Sequence, residues 1–571
     1  MASLPLILVV GGDELALRVT EELCATQGHR VALMWNHDPE LAKQIERLGA
    51  QFLGFPPNDF DALRAAGVSE AASIMTLSDD DRLNLQVALK ARDLNPNIRV
   101  VLRQFNRQLG RKIAQNLPDC SVVSLSGHAA ATFAACAIDR SVFYAVQFPD
   151  LDGPLVAFAR RTASTFGASL GQTIAQLEAT HDIRVVGYNG IDSFIPGIIP
   201  RPDDELVIFG EIKTLEKLVP QREVKAESKP FAETSAEWRR NALLSMRRID
   251  PIIRSILITV VALVAVFTVY YSFALHKNAV VSLYFVLTTM TSTGYGDITP
   301  LDAGPFPMLL ANGMMIIGVA FTGIFIAFMT ERITRAQYVA TRGVRKIRDK
   351  GHIIVCGTGQ VGTRVIDYLI DLQQKVVVVD PDPDPTIVDR VRNRDFALLT
   401  GDATREEVLA MCNLANAHSL VALTGNDTAN LEVALGARVL NPDLSVVMRV
   451  QDETFAGLIE HQFTLDRTFS TSQLSAPGFA GLSRFPGTRG RIGYGDETYN
   501  VGERLQGEVP QPPPAQDCIP LCVWRAGALV LIDDFEQMKP YDRLLFLVPL
   551  SQFKMKPAEP KEAEMEPAVT G

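Results

Sequence analysis

Apolar and polar residues alternate in blocks along this chain, and the blocks differ in kind between its ends and its middle. Near the start, "LPLILVVGG" is a short apolar run into a glycine turn, which predicts a buried strand rather than a leader, since no basic residues precede it. The same grammar returns at "GHIIVCGTGQVGTRVIDYLIDLQQKVVVVD", where a strand, a glycine turn, a helix and a second strand follow in order. The middle reads otherwise. Ser255–Leu275 runs 21 residues without a charge and Phe306–Met329 runs 24, each long enough as a helix for roughly 30 Å of hydrocarbon.

Between these two segments lies a loop that is itself half apolar. Ala279–Thr291 predicts a short re-entrant helix, and "STGYGDITP" after it predicts irregular backbone. At membrane depth such backbone is tolerated where it lines a water-filled path or is buried in protein. Gly294 and Gly296 permit dihedrals that aim successive carbonyls one way, and a ring of such carbonyls replaces the hydration shell of a cation. Arg239, Arg240, Arg247, Arg248 and Arg254 precede the first segment, and Arg332, Arg335, Arg342, Arg345, Lys346, Arg348 and Lys350 follow the second. The connecting loop carries little positive charge beyond Lys277, so both termini are expected on the cytoplasmic side of the cell membrane.

The ends of the chain repeat each other. "RLNLQVALKARDLNPNIRVVLR" (Arg82–Arg103) and "TANLEVALGARVLNPDLSVVMR" (Thr428–Arg449) agree at 13 of 22 positions, and Gly11 and Gly357 keep the same offset. In the C-terminal copy Gly357 allows the tight turn, Gly359 lets phosphates approach the backbone, and Gly362 lets helix and strand pack closely. Asp380, 18 residues beyond Gly362, ends the second strand where an acid accepts ribose hydroxyls. The N-terminal copy keeps the pattern and loses the site. Asp13 replaces Gly359, Ala16 replaces Gly362, Phe55-Pro56 replaces Gly401-Asp402, and the acid falls on Met34 or Trp35. A carboxylate at position 13 repels a pyrophosphate, so this copy is expected to be a structural or assembly domain, the alternative being that it binds some other ligand.

These residues carry a resemblance. "TSTGYGD" is similar to the selectivity filter of potassium channels, with Ser292 where that family usually has Thr and Thr293 where it has Val or Ile. The resemblance implies a filter of Thr291, Ser292, Thr293, Gly294, Tyr295, Gly296 and Asp297, potassium ions bound within it, and Gly318 as a gating hinge; for Gly313 and Gly323 close helix packing is an equally good reading. Because one loop cannot enclose an axis, it also implies a homotetramer. The C-terminal copy resembles the RCK, or TrkA-type, domain. That implies NAD(H) or an adenine nucleotide as regulatory ligand, held by Gly357, Thr358, Gly359, Gln360, Val361, Gly362, Asp380, Gly401 and Asp402, with Arg449 directed to the phosphates. "RPDDELVIFG" and "KPYDRLLFLV" share the pattern of that family's C-terminal subdomain.

The expected fold is therefore mixed: a two-helix membrane pore module with a re-entrant loop, flanked by two α/β Rossmann-type RCK domains, each followed by a small α+β RCK-C subdomain. The divisions are 1–140 and 141–220 for the first pair, a linker over 221–250, the pore over 251–331, and a linker over 332–350. The second pair takes 351–470 and 471–552, and 553–571 is a charged, proline-bearing tail expected to be disordered.

Composition narrows the function. The 571-residue chain has a net charge of -10 and no basic block, which argues against nucleic acid. Seven cysteines are scattered and eight histidines form no paired ligand spacing, so neither a metal nor a catalytic site is expected. Asp79, Asp80 and Asp81 precede a helix and are expected to cap it rather than hold calcium. A dehydrogenase reading leaves the loop at Gly294 unexplained. The leading expectation is a ligand-gated potassium channel in a lipid bilayer, with a cytosolic ring of nucleotide-binding domains. The alternatives are a cation channel of weaker selectivity gated by calcium or another ion, and a non-conducting regulatory subunit.

Overall fold

The computed structural model describes residues 4–26, 28–149, 153–190, 196–219, 251–342, 347, 349–392, 396–451, 453–463, 465–495, 497–505 and 518–550. The linker expected over 221–250, the tail over 553–571 and the proline-rich stretch 509–517 lie outside them. The chain forms two compact units: residues 1–222 with 342–571, and residues 223–341.

In the first unit, β1 (Leu6–Val10), β2 (Arg30–Met34), β3 (Gln51–Leu53), β4 (Ser73–Thr76), β5 (Arg99–Arg103) and β6 (Cys120–Val123) make a parallel sheet in the order 3-2-1-4-5-6. Strand order reverses between β1 and β4, which opens a crevice above their carboxyl ends. A smaller antiparallel sheet follows, formed by β7 (Val142–Gln147), β8 (Leu155–Thr162), β9 (Arg184–Tyr188) and β10 (Glu205–Glu211). The duplication seen in the sequence is repeated in space. β11 (His352–Cys356), β12 (Val376–Asp380), β13 (Ala397–Thr400), β14 (Ala417–Ala422), β15 (Ser445–Val450) and β16 (Arg467–Ser470) form a second parallel sheet of the same order. After it come β17 (Thr488–Tyr494), β18 (Glu497–Leu505), β19 (Ile519–Arg525), β20 (Ala528–Leu531) and β21 (Arg543–Pro549), five antiparallel strands.

The two copies are not side by side as separable domains; each lends the other a helix. Leu125–Ile138, "LSGHAAATFAACAI", leaves the first copy and packs on helix Gln360–Asp371 of the second. A helix apolar on every side must be enclosed, and its small residues let neighbours approach closely. Its C-terminal carbonyls are satisfied across the seam: the Ser419 hydroxyl donates to Ala137 O at 2.6 Å and His418 Nε2 to Ile138 O at 2.8 Å. In return, Thr471–Leu482 packs on helix Glu14–Cys24 of the first copy, and Arg99 Nε donates to Leu482 O at 2.6 Å. One continuous core therefore contains Phe133 and Ala134 together with Ile366 and Leu369. The two antiparallel sheets also share a core, with Phe158 and Phe209 against Tyr494 and Leu547.

The second unit contains helices Pro251–Ala274, Ala279–Met290 and Pro305–Arg342. Asn278 caps the short middle helix, accepting from the Val281 amide at 2.9 Å. Tyr271 ties all three together: its ring meets Phe285 edge-on at 4.9 Å and its hydroxyl donates to Pro307 O at 2.9 Å. Pro305–Ala327 is long and apolar enough to cross a membrane; the described apolar stretch of the first helix, Ile258–Ala274, is shorter. The third helix continues well past Met329 to Arg342, so the region expected as a linker over 332–350 begins as helix.

Candidate functional site

The loop between the middle and third helices has an alternating backbone. Ser292, Gly294 and Gly296 have φ of 59°, 49° and 73°, while Thr293 and Tyr295 between them lie outside the left-handed region. Alternation of this kind turns successive carbonyls to the same side of the chain, where extended backbone points them alternately to opposite sides. Ser292 is the one non-glycine at a left-handed position here. A β-branched side chain would be more strained there, so serine keeps the hydroxyl at lower cost.

Three contacts brace this loop against the helix before it. The Thr293 and Gly294 amides donate to Thr288 O at 2.9 and 3.1 Å, and the Thr291 and Thr293 hydroxyls lie 2.9 Å apart. Tyr284 stacks parallel on Tyr295, with ring centroids 6.4 Å apart. Sequence reasoning missed Tyr284; its signal was a polar-tipped aromatic on the apolar helix leading into the loop.

Gly318 sits where the third helix crosses the end of the middle one. A Cβ there would lie 2.0 Å from Met290 O, whereas Gly313 and Gly323 have open space around theirs. The helix runs unbroken through Gly318. Close packing, the alternative reading of the other two glycines, thus falls at this one within a single chain. Gly318→Ala should lower the melting temperature of the detergent-purified protein, by an amount corresponding to about 1–3 kcal/mol of overpacking. Gly313→Ala, measured in parallel, should not.

In the first unit, the crevice of the second sheet is built by the glycine turn after β11. Gly357 has φ 102°, and its amide donates to Val379 O at 2.9 Å. A Cβ on Gly362 would lie 2.0 Å from Gly357 O, so helix Gln360–Asp371 rests directly on the turn. Gly359 is the N-cap, makes no side-chain cap bond and meets nothing within 4 Å, which leaves Gln360 and the helix start approachable, while the Val361 side chain is buried in the core. Asp380 reaches the same turn, its carboxylate accepting from Thr358 N at 2.6 Å and Thr358 Oγ1 at 2.8 Å. Gly401 and Asp402 follow β13. The Thr404 amide and hydroxyl hold the Asp402 carboxyl below its ordinary range. Arg449, on β15, has a buried Nε with no partner, and burial pulls its guanidinium below the usual arginine value despite Asp427. A buried cation left short of an acceptor fits an anion in this crevice.

The first sheet fills its own crevice. Asp13 caps helix Glu14–Cys24, accepting from Ala16 N at 3.1 Å, and pairs with Arg103, the counterpart of Arg449. Arg103 also donates to Leu77 O at 2.7 Å. Strand register settles the residue replacing Asp380: Val10 pairs Met34 where Cys356 pairs Val379, so the replacement is Trp35. Its indole lies so close over Gly12 that a Cβ there would be 2.1 Å from Nε1. Asp80 caps its helix, accepting from Arg82 N and Leu83 N at 2.8 and 3.2 Å, and Asp81 accepts from Phe105 N at 3.0 Å. Among the described residues no group of three or more metal-ligating side chains converges.

Comparison with known proteins agrees with this division. The TrkA-N domain family matches residues 7–119 and 353–471, and the ion channel family matches residues 257–335. Potassium channel protein 1 of Methanocaldococcus jannaschii is 24% identical over 173 residues, 30% of this chain and 52% of that one. Voltage-gated potassium channel Kch of Escherichia coli K12 is 25% identical over 181 residues, 31% of this chain and 43% of that one. The chain thus spans about half the length of these relatives or less. The solved GsuK channel shares the fold at 13% identity and a TM-score of 0.50, covering 96% of this chain and 78% of that one. The chain is a membrane protein that carries two TrkA-N domains on either side of an ion-channel module.

Proposed function

We propose that the protein is a potassium-selective channel whose pore is gated by NAD(H) or an adenine nucleotide bound to the C-terminal TrkA-N domain. The observation that carries this reading is the alternation of left-handed positions at Ser292, Gly294 and Gly296 between a short capped helix and a long apolar one. Four such loops around an axis, one from each subunit of a homotetramer, supply rings of carbonyls from Ser292, Thr293, Gly294 and Tyr295 that replace water around the ion. Thr291 and Asp297 bound the row. The outward Ile258, Val261, Val266, Phe306, Leu309 and Ile316 side chains suit lipid or neighbouring subunits and support two membrane crossings, and the arginines flanking both apolar segments support cytoplasmic termini.

In the C-terminal domain, Gly357, Thr358, Gly359, Gln360, Val361 and Gly362 would hold the diphosphate on the helix start. Asp380 would take ribose hydroxyls, Arg449 would neutralise phosphate, and Gly401-Asp402 would border the adenine. The nucleotide is a regulator here and is not consumed. Gating then requires different nucleotide affinities in two arrangements of the cytosolic ring, with Gly318 as the point on the third helix where the change reaches the filter base.

The test is potassium and sodium flux in liposomes containing the purified chain, with NADH, NAD, ATP or ADP added in turn. Potassium should exceed sodium at least tenfold, one nucleotide should change the flux, and Asp380→Ala should remove that response. Equal flux of both ions, or none, overturns the pore reading; nucleotide-independent flux overturns the sensor reading alone.

A further inference from the structure

Away from the glycine turns, a cleft of about 310 Å³ opens on the seam between the two copies. One wall is β6 and the start of crossing helix Leu125–Ile138; the other is β17, with Tyr368 of the second copy at one side. Its volume is at the low end of small-molecule pockets, about 300–1,000 Å³.

Gln104 lines this cleft and is 3% exposed. Its Nε2 donates to Asp81 at 2.5 Å, and since a carboxylate only accepts, the amide orientation is fixed. Gln104 Oε1 is then left buried with no partner, an acceptor waiting for a donor. The walls add the hydroxyls of Ser121, Ser124 and Thr488, and no aspartate or glutamate lines the cleft. Arg111 stands at the rim, exposed, and among the described residues no carboxylate pairs with it. Arg489, the other lining arginine, is already held by buried Glu503. The free charge is therefore positive and the interior is rich in hydroxyls.

We infer that this cleft binds a small anionic polyol, its anionic group on Arg111 and one of its hydroxyls donating to Gln104 Oε1. Such a ligand bridges the first parallel sheet and the strand Thr488–Tyr494, and so reports on the seam rather than on the nucleotide crevice. The inference stands apart from the channel reading, because none of its residues belongs to the filter or the glycine turn.

The test is titration calorimetry on the full chain in detergent, with ribose 5-phosphate and gluconate as probes that separate phosphate from carboxylate. At least one should bind with a dissociation constant below about 1 mM. Arg111→Ala, an exposed position that spares folding, and Gln104→Leu should each weaken binding at least tenfold, and Gly359→Asp should leave it unchanged. Failure of both probes to bind overturns the inference. So does equal binding by Arg111→Ala, or loss of binding in Gly359→Asp, which would place the probe in the nucleotide crevice.

Discussion

Gly294→Ala is expected to abolish potassium flux. The glycine sits at φ 49° with nothing within 4 Å of its added methyl, so within one chain the substitution causes no collision. Its cost is the backbone: a left-handed conformation disfavours an L side chain by about 1–2 kcal/mol. In the proposed fourfold pore that cost would be multiplied to roughly 4–8 kcal/mol in one ring, and relaxing it would turn the Gly294 carbonyl away from the axis. Flux in liposomes should fall at least a hundredfold, while Gly313→Ala, in open space on the third helix, should conduct normally. Retention of flux within twofold of wild type would remove this loop from the conduction path.

The second large effect belongs to Gly359→Asp, which reproduces in the C-terminal copy what Asp13 does in the N-terminal one. The new carboxylate would occupy the open helix start and meet Arg449, as Asp13 meets Arg103. Two like charges about 4 Å apart near a protein surface repel by about 4 kcal/mol, so nucleotide affinity should drop a hundredfold or more. Binding of a fluorescent adenine nucleotide to the purified chain measures it. Unchanged affinity would show that phosphates do not sit on this helix start.

Much of this was legible because it is local. The turn at Gly357, the cap at Gly359 and the acid at Asp380 lie within one strand–helix–strand passage, so spacing alone places them. The same holds for the loop at Gly294, which its flanking apolar runs define. Trp35 was only half legible. The first copy pairs β1 with β2 one residue out of step with its counterpart, and register depends on pairing that one sequence does not reveal. The exchange of helices was not legible at all. "LSGHAAATFAACAI" announces burial, but nothing in it says against which partner, because that partner lies more than 200 residues downstream. Arg449 was named by resemblance; that its Nε is buried without an acceptor needed the three-dimensional structure.

The exchanged helices have a consequence for how the proposed channel would count its ligand. Two copies of one unit held in a single polypeptide can never lose each other to dilution, since covalent linkage keeps each at high effective concentration beside the other. That permits a division of labour. One copy fills its crevice with Asp13 and Trp35; under the proposed function the other, with Gly359 and Arg449, would be the one to respond. A tetramer of such chains would carry eight nucleotide-type folds but four sensors, and the Hill coefficient of its nucleotide response could not exceed four.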